Sequence, residues 1–175
     1  MDKKDPRPGA LRVRAADPVD IPQLMRLKRQ LAQIEDSLHA VRANAADWLR
    51  DGFGPGAGFT AFVAEIGDTV IGMATCSQRV ITGWNGPIVF LQDLFVEPEH
   101  RKRGVARALT ARVAAHAYKL GSPVVELTVR ADNPAQGFYQ REGFSHLPNC
   151  LTYVLAGSAL AALADCDREE LALAG

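Results

Sequence analysis

At 175 residues the chain is long enough for one domain with at most a tail. Hydrophobic residues at 47% and charged residues at 23% exclude general disorder and a fibrous repeat, and twenty Lys+Arg against twenty Asp+Glu leave no basic excess for nucleic acid. The best apolar stretch, Val154 to Ala164, is far short of the roughly 20 residues of a membrane span, and the charged start Met1-Asp2-Lys3-Lys4-Asp5-Pro6 has no apolar segment behind it, so neither membrane nor signal peptide is expected.

Residues 1–10 are polar with two prolines and read as a flexible lead. Leu11-Arg12-Val13-Arg14 alternates as a short edge strand does. Asp17 or Asp20 caps a helix whose apolar stripe is Ile21, Leu24, Leu27, Leu31 and Ile34. A second short helix is expected around 44–50, then a glycine-rich loop over 52–58. Phe59 to Ile66 reads as a strand turned back at Gly67-Asp68 into a second, Val70 to about Ile81. After a turn at Trp84-Asn85-Gly86-Pro87, Ile88 to Val96 reads as a strand covered on both faces. Gly104 to Leu120 changes to helical period, with Gly121 as the stop. Val124 to Val129 is β-rich, and Asn133-Pro134 reads as cap and first residue of a helix ending near Gly143. Short strands are expected at 144–147 and 151–155, and 156–175 forms an Ala/Leu-rich acidic tail or helix. The order implies an α/β (α+β) mixed sheet with helices on both faces and a right-handed parallel crossover from 88–96 to 124–129.

The segment Leu91-Gln92-Asp93-Leu94-Phe95-Val96-Glu97-Pro98-Glu99-His100-Arg101-Lys102-Arg103-Gly104-Val105-Ala106 carries the most specific chemistry. A strand runs through a short loop into a helix whose first turn is basic and glycine-bearing. Unpaired N–H groups there converge on one point and the helix dipole adds positive potential. Arg101, Lys102, Arg103 and Arg107 add formal charge, and Gly104 admits a phosphate close to the backbone. A solvated basic turn is the plain alternative. It works against the dipole, so the sequence conflict itself favours an anion site.

Arg101-Lys102-Arg103-Gly104-Val105-Ala106 resembles the acetyl-CoA signature of the GCN5-related N-acetyltransferase (GNAT) family, Arg/Gln-x-x-Gly-x-Gly/Ala. Asn133 to Tyr139, followed by Gly143-Phe144, resembles that family's second element. The resemblance spans about 11–155. It implies a mostly antiparallel sheet in which one parallel strand pair splays near Val96 and Thr128 to admit acetyl-CoA. It further implies Phe95, Val96, Arg101, Lys102, Arg103, Gly104, Val105, Ala106, Arg107, Asn133 and Gln136 as cofactor residues, and Tyr139 as hydrogen-bond donor to the leaving sulfur. Trp48 to Gly54, Phe62 to Glu65 and Leu91 to Val96 resemble the diamine and thialysine acetyltransferase branch, which implies a small polyamine, diamine or amino-acid-like acceptor and a homodimer. That branch commonly has Glu-Asp where this chain has Gln92-Asp93, and a glutamine hydrogen-bonds without taking a proton.

Gln92, Asp93 and Glu126 are the candidate acceptor contacts, Asp93 either holding an ammonium or, as a buried carboxylate, capping a loop or pairing with an Arg. Glu35 and Asp36 read as a solvated face. The glycine-rich 52–58 loop lacks the Lys-Ser/Thr of a P-loop and reads as a substrate-side loop. The four histidines and three cysteines show no metal spacing, so no metal is expected, and an odd cysteine count points to a reducing cytoplasm. Besides a small-amine acetyltransferase, two readings stay open: an acetyltransferase of protein Lys or N-termini, and a non-catalytic acyl-CoA-binding module.

Overall fold

Residues 9–83, 86–150, 152 and 154–164 are described by a computed structural model. The chain divides into two units, 1–133 and 134–175.

The first unit holds a five-stranded sheet whose spatial order follows the chain: β1 (Leu11–Ala15), β2 (Thr60–Ile66), β3 (Thr69–Val80), β4 (Pro87–Val96) and β5 (Val125–Glu126). The first four strands pair antiparallel, and β5 joins β4 in parallel. The hairpin expected at Gly67-Asp68 forms, with Ile66 opposite Thr69. Two helices, α1 (Ile21–Ile34) and α2 (Ala45–Phe53), lie between β1 and β2, and α3 (Val105–Lys119) connects β4 to β5.

Strand alternation sorts the helices onto opposite faces. Ala61 and Val63 of β2 join Met73 and Phe95 in one core with Ile21, Leu24 and Leu27 of α1 and Trp48 of α2. Phe62, one residue out of phase, turns to α3: its ring meets His116 edge-on at 5.5 Å, and Arg112 lies 5.6 Å over it. Leu109 and Val113 of α3 are fully buried, each contributing about 1.5–3 kcal/mol by leaving water. Gly72 permits this close approach, since a Cβ there would sit 2.9 Å from the Phe95 carbonyl oxygen and 3.3 Å from Leu109 Cδ1. Gly121 stops α3 as expected, at φ 70° with Ser122 N–H reaching back to Ala117 O at 2.9 Å.

Four expectations are corrected. The α1 stripe stops at Leu31, because Ile34 is 61% exposed in the last turn before Asp36, at φ 52°, turns the chain away. The strand expected over 124–129 is only Val125–Glu126, pairing at Val89↔Val125 and Phe90↔Glu126. The reason lies in β4: Thr75 opposes Asp93 and Cys76 opposes Leu91, so Gln92 is an extra, bulged residue. A bulge bends its strand, and the parallel ladder ends just before it. In the second unit, α4 (Gln136–Arg141) begins after a turn with Ala135 in the cap position, not at Asn133. Its end is the expected one: Gly143 at φ 91°, with Phe144 N–H bonded to Tyr139 O at 3.0 Å. Residues 144–147, expected as a strand, have no regular structure, whereas 157–164 are helical. Lead residues 1–8, Trp84 and Asn85 of the turn, Leu151 and Tyr153 of the last strand, and Asp165, Cys166, Asp167, Glu169 and Glu170 of the tail lie outside the described residues.

Candidate active site

The β4-to-α3 connection is built by two left-handed residues. Lys102 has φ 60° and Gly104 has φ 81°. Such turns gather successive N–H groups into a concave anion-binding surface. They lead into the first turn of α3, whose N–H groups have no partner within the helix. Nothing lies within 4 Å of the place a Gly104 Cβ would occupy, so the approach is open. Lys102, Arg103 and Arg107 are exposed around this start, while Val105 is buried beneath it and Ala106 is half-buried. Arg101 also makes contacts within the chain. Its Nε donates to the Val96 carbonyl at 2.9 Å and its guanidinium lies 5.7 Å over the Phe95 ring, so it pins the end of β4.

The bulge at Gln92 also decides which β4 amides face the gap beside β5. Glu97 N–H donates to Ile71 O on β3 at 3.0 Å. By alternation Phe95 and Asp93 share that edge, and Leu94 and Val96 face the other. Of the expected pair Phe95 and Val96, Val96 thus faces the gap together with Leu94, and the Phe95 amide faces β3. Phe95 instead contributes its ring to the core.

Next to this edge is a cavity of about 500 Å³, unforeseen from sequence apart from Gln92 and Asp93. Its apolar wall is Trp48, Phe59 and Phe90, with Trp48 and Phe59 edge-on at 5.3 Å. Its charged lining is Lys28, Arg42, Asp47, Asp51 and Asp93. Asp93 pairs with a lysine and not with the expected arginine: Oδ1 meets Lys28 Nζ and Oδ2 accepts from Thr75 Oγ1 at 2.7 Å. Asp47 and Asp51 are bridged by Arg50, at 3.0 Å and 2.6 Å, which draws the Asp51 carboxyl below its ordinary range. Asp51 and Phe59 flank the glycine-rich loop, which brings that segment to the cavity rim. The signal available in the sequence was Asp47-Trp48 with Asp51, two carboxylates one helical turn apart beside an aromatic.

Glu126 is not in this lining. It pairs with Arg79 Nη2 at 2.8 Å, and Arg79 lies 4.5 Å over the Phe90 ring. Glu35 and Asp36 also lie elsewhere: behind the dominant effect of Asp132, they help hold the Arg130 guanidinium charged. Asn133 closes a turn by donating its N–H to Arg130 O at 3.0 Å. In the second unit, Gln136 opens α4 and the half-buried Tyr139 ring packs edge-on between Phe138 at 5.3 Å and Phe144 at 5.6 Å. Cys76 is a core residue whose thiol is pushed up to about 11 by burial. Glu97, Glu99 and His100 bring ligand-type atoms within 4.8 Å of one another, but Glu97 is already paired with Arg26.

Comparison with known proteins places this geometry. The model of the acetyltransferase (GNAT) family matches residues 22–144. A spermidine/spermine N(1)-acetyltransferase-like protein of Homo sapiens is 30% identical over 109 residues, 58% of this chain but only 16% of that longer protein. The thialysine N-epsilon-acetyltransferase of Mus musculus is 30% identical over 129 residues, 69% of this chain and 75% of its own. Among solved structures, an integron cassette protein from the mobile metagenome of V. cholerae superposes with a TM-score of 0.73 at 22% identity, covering 88% of this chain and 97% of that one. The aminoglycoside N-acetyltransferase AAC(6')-Iy in complex with CoA superposes with a TM-score of 0.62 at 25% identity, covering 83% of this chain and 100% of its own. Since the family match runs from α1 through α4 instead of resting on one signature, the chain belongs to the GNAT family of acetyltransferases.

Proposed function

We propose that this acetyltransferase moves an acetyl group from acetyl-CoA to the primary amine of a small acceptor by direct attack. The observation that carries the reading is the departure of β5 from β4 after Phe90↔Glu126, which leaves the Leu94 and Val96 edge without a strand partner beside the glycine-opened start of α3. The residues suit the cosubstrate chemically. The backbone around Lys102–Gly104, with Arg103 and Arg107, takes the diphosphate, and the strand edge takes the amide-rich arm as an added strand would be taken. A solved structure of the same fold is itself a complex with CoA. When bound, acetyl-CoA supplies an activated thioester.

The chain's own groups then have three tasks. Leu94 and Val96 amides are donors for a carbonyl oxygen on which charge develops. The acceptor amine must be neutral, and with an unperturbed pKa near 10.4 that costs about 4–5 kcal/mol at pH 7. Water carries its proton out to solvent, which requires no strong base in contact with the amine. Tyr139 donates to the leaving sulfur, on the strength of the family motif; proton transfer from a phenol near 10 to a thiolate near 8.5 is uphill by about 2 kcal/mol, so the tyrosine acts as a hydrogen-bond donor. The resemblance adds a homodimer in the cytoplasm, and sedimentation checks the dimer.

The test is acetyl-CoA with a panel of primary amines, read by free thiol and product mass. Thiol release matched by gain of one acetyl on the amine is expected. Absence of release above background with every amine, despite CoA binding, overturns the small-amine reading and leaves the acetyltransferase of protein Lys or N-termini and the acyl-CoA-binding module.

A further inference from the structure

The carboxylates lining the acceptor cavity are already occupied, and one of its cations is not. Asp93 accepts on Oδ1 from Lys28 and on Oδ2 from Thr75. Asp51 accepts on both oxygens from Arg50, at 2.6 Å and 2.7 Å. Asp47 accepts from Arg50 on Oδ1 at 3.0 Å and from the Asn44 N–H on Oδ2 at 2.9 Å. Arg50 stands outside the lining but neutralises the two helix carboxylates, so the three acidic groups are matched by Lys28 and Arg50 with Arg42 left over to balance the charge. Arg42 lines the cavity and is exposed, and among the described residues it has no carboxylate partner.

The backbone beside Arg42 is fixed. Val41 N–H is bonded to Leu38 O at 3.1 Å, and two residues after Arg42 the Asn44 side chain caps α2 through the Ala46 and Asp47 amides at 2.8 Å and 3.2 Å. An exposed cation in the cavity lining, beside matched ion pairs and a wall of three aromatic rings, suits an acceptor that brings its own anion. Lys28 has further N–H donors beyond the one spent on Asp93. Trp48, Phe59 and Phe90 suit a short carbon chain.

We infer that the acceptor is a small amine that also carries a carboxylate, an amino-acid-like zwitterion, and that Arg42 is the residue selecting it over a diamine or polyamine. Arg42 donates to the carboxylate, which sets the orientation in which the amine at the other end of the carbon chain meets the thioester. A polyamine brings only positive charge to a cavity whose carboxylates are taken. This assignment rests on the acetyltransferase reading above and deepens it.

The experiment compares L-lysine with 1,5-diaminopentane, and L-ornithine with 1,4-diaminobutane, each pair differing by the carboxylate alone. Acetyl-CoA-dependent kcat/KM is measured for the full chain and for Arg42→Ala and Arg42→Glu. The full chain should favour each amino acid over its diamine by about 10-fold or more, the worth of one charge-assisted contact. Arg42→Ala should collapse the ratio toward one, through a raised KM for the amino acid, and Arg42→Glu should invert it. Coenzyme A binding is the check that both variants are folded. Preference of the full chain for the diamines, or an unchanged ratio in Arg42→Ala, overturns the inference and leaves acetyl transfer standing. Lack of acetyl transfer to all four acceptors overturns the inference, and the acetyltransferase reading falls with it only where the wider amine panel also gives no product.

Discussion

Arg14 ties acidic groups from two elements together and illustrates what single side chains do in this chain. Its Nη1 and Nη2 hold Asp20 at 2.6 Å and 2.9 Å, and its Nε holds Glu65 at 2.9 Å. The guanidinium keeps the Asp20 carboxyl below its ordinary range, the hydrogen bond outweighing burial. A depressed folded-state value means that the stabilisation is present above the unfolded value near 4 and is lost as pH falls through the folded one. Asp20→Asn should cost about 2–3 kcal/mol near neutrality, because Arg14 keeps Glu65, and should flatten the loss of stability as pH falls below about 4; denaturant melts from neutrality down into acid test both. Cys76 gives a second check. Buried, with its thiol pushed up to about 11, it should resist thiol reagents at pH 8 until the fold opens, whereas exposed Cys150 reacts at once. Peptide mapping after brief labelling distinguishes the two. Tyr139→Phe should lower kcat by about 100-fold with CoA affinity nearly unchanged. Equal turnover removes Tyr139 from the chemistry.

Helices and strands with strong local signals read correctly from sequence, and those that depend on distant partners did not. The Asn44 cap, the Gly121 stop and the Gly67-Asp68 turn are local chemistry, so α2, the end of α3 and the β2–β3 hairpin were legible. The extent of β5 was not, because Thr128 and Val129 are β-branched like Val125 but have no partner once β4 bulges at Gln92. The same bulge moved the gap-facing amide from Phe95 to Leu94, a change of phase that no residue type announces. The acceptor cavity was legible only in fragments, since it gathers side chains from α1, α2, β3 and β4. Gly72→Ala tests the packing of α3 on the sheet. With the new methyl group 2.9 Å from a backbone oxygen, it should cost about 1–3 kcal/mol. An unchanged denaturation midpoint would mean that α3 sits less tightly than described.

Taken together, the first unit carries a glycine-opened basic turn at the head of α3, a β4 edge that β5 leaves without a strand partner, and a charge-balanced cavity. Family membership supplies the reaction class, whereas the proposed acceptor rests on cavity residues that sequence alone left scattered. An attacking amine that must lose a proton makes kcat/KM rise with pH, by up to about tenfold per unit, until the amine in the site is neutral. A pH-rate profile that is flat from about pH 6 to 9 would mean the amine enters already neutral or that another step limits. The most direct check is calorimetric titration of coenzyme A into the full chain and into Gly104→Val, a substitution that forces a branched side chain into a left-handed position. Saturable binding to the full chain, weakened about tenfold or more in the variant, is the expected result; no heat and no thermal protection, or equal affinity in both, would contradict the assignment of the α3 start as the cosubstrate site.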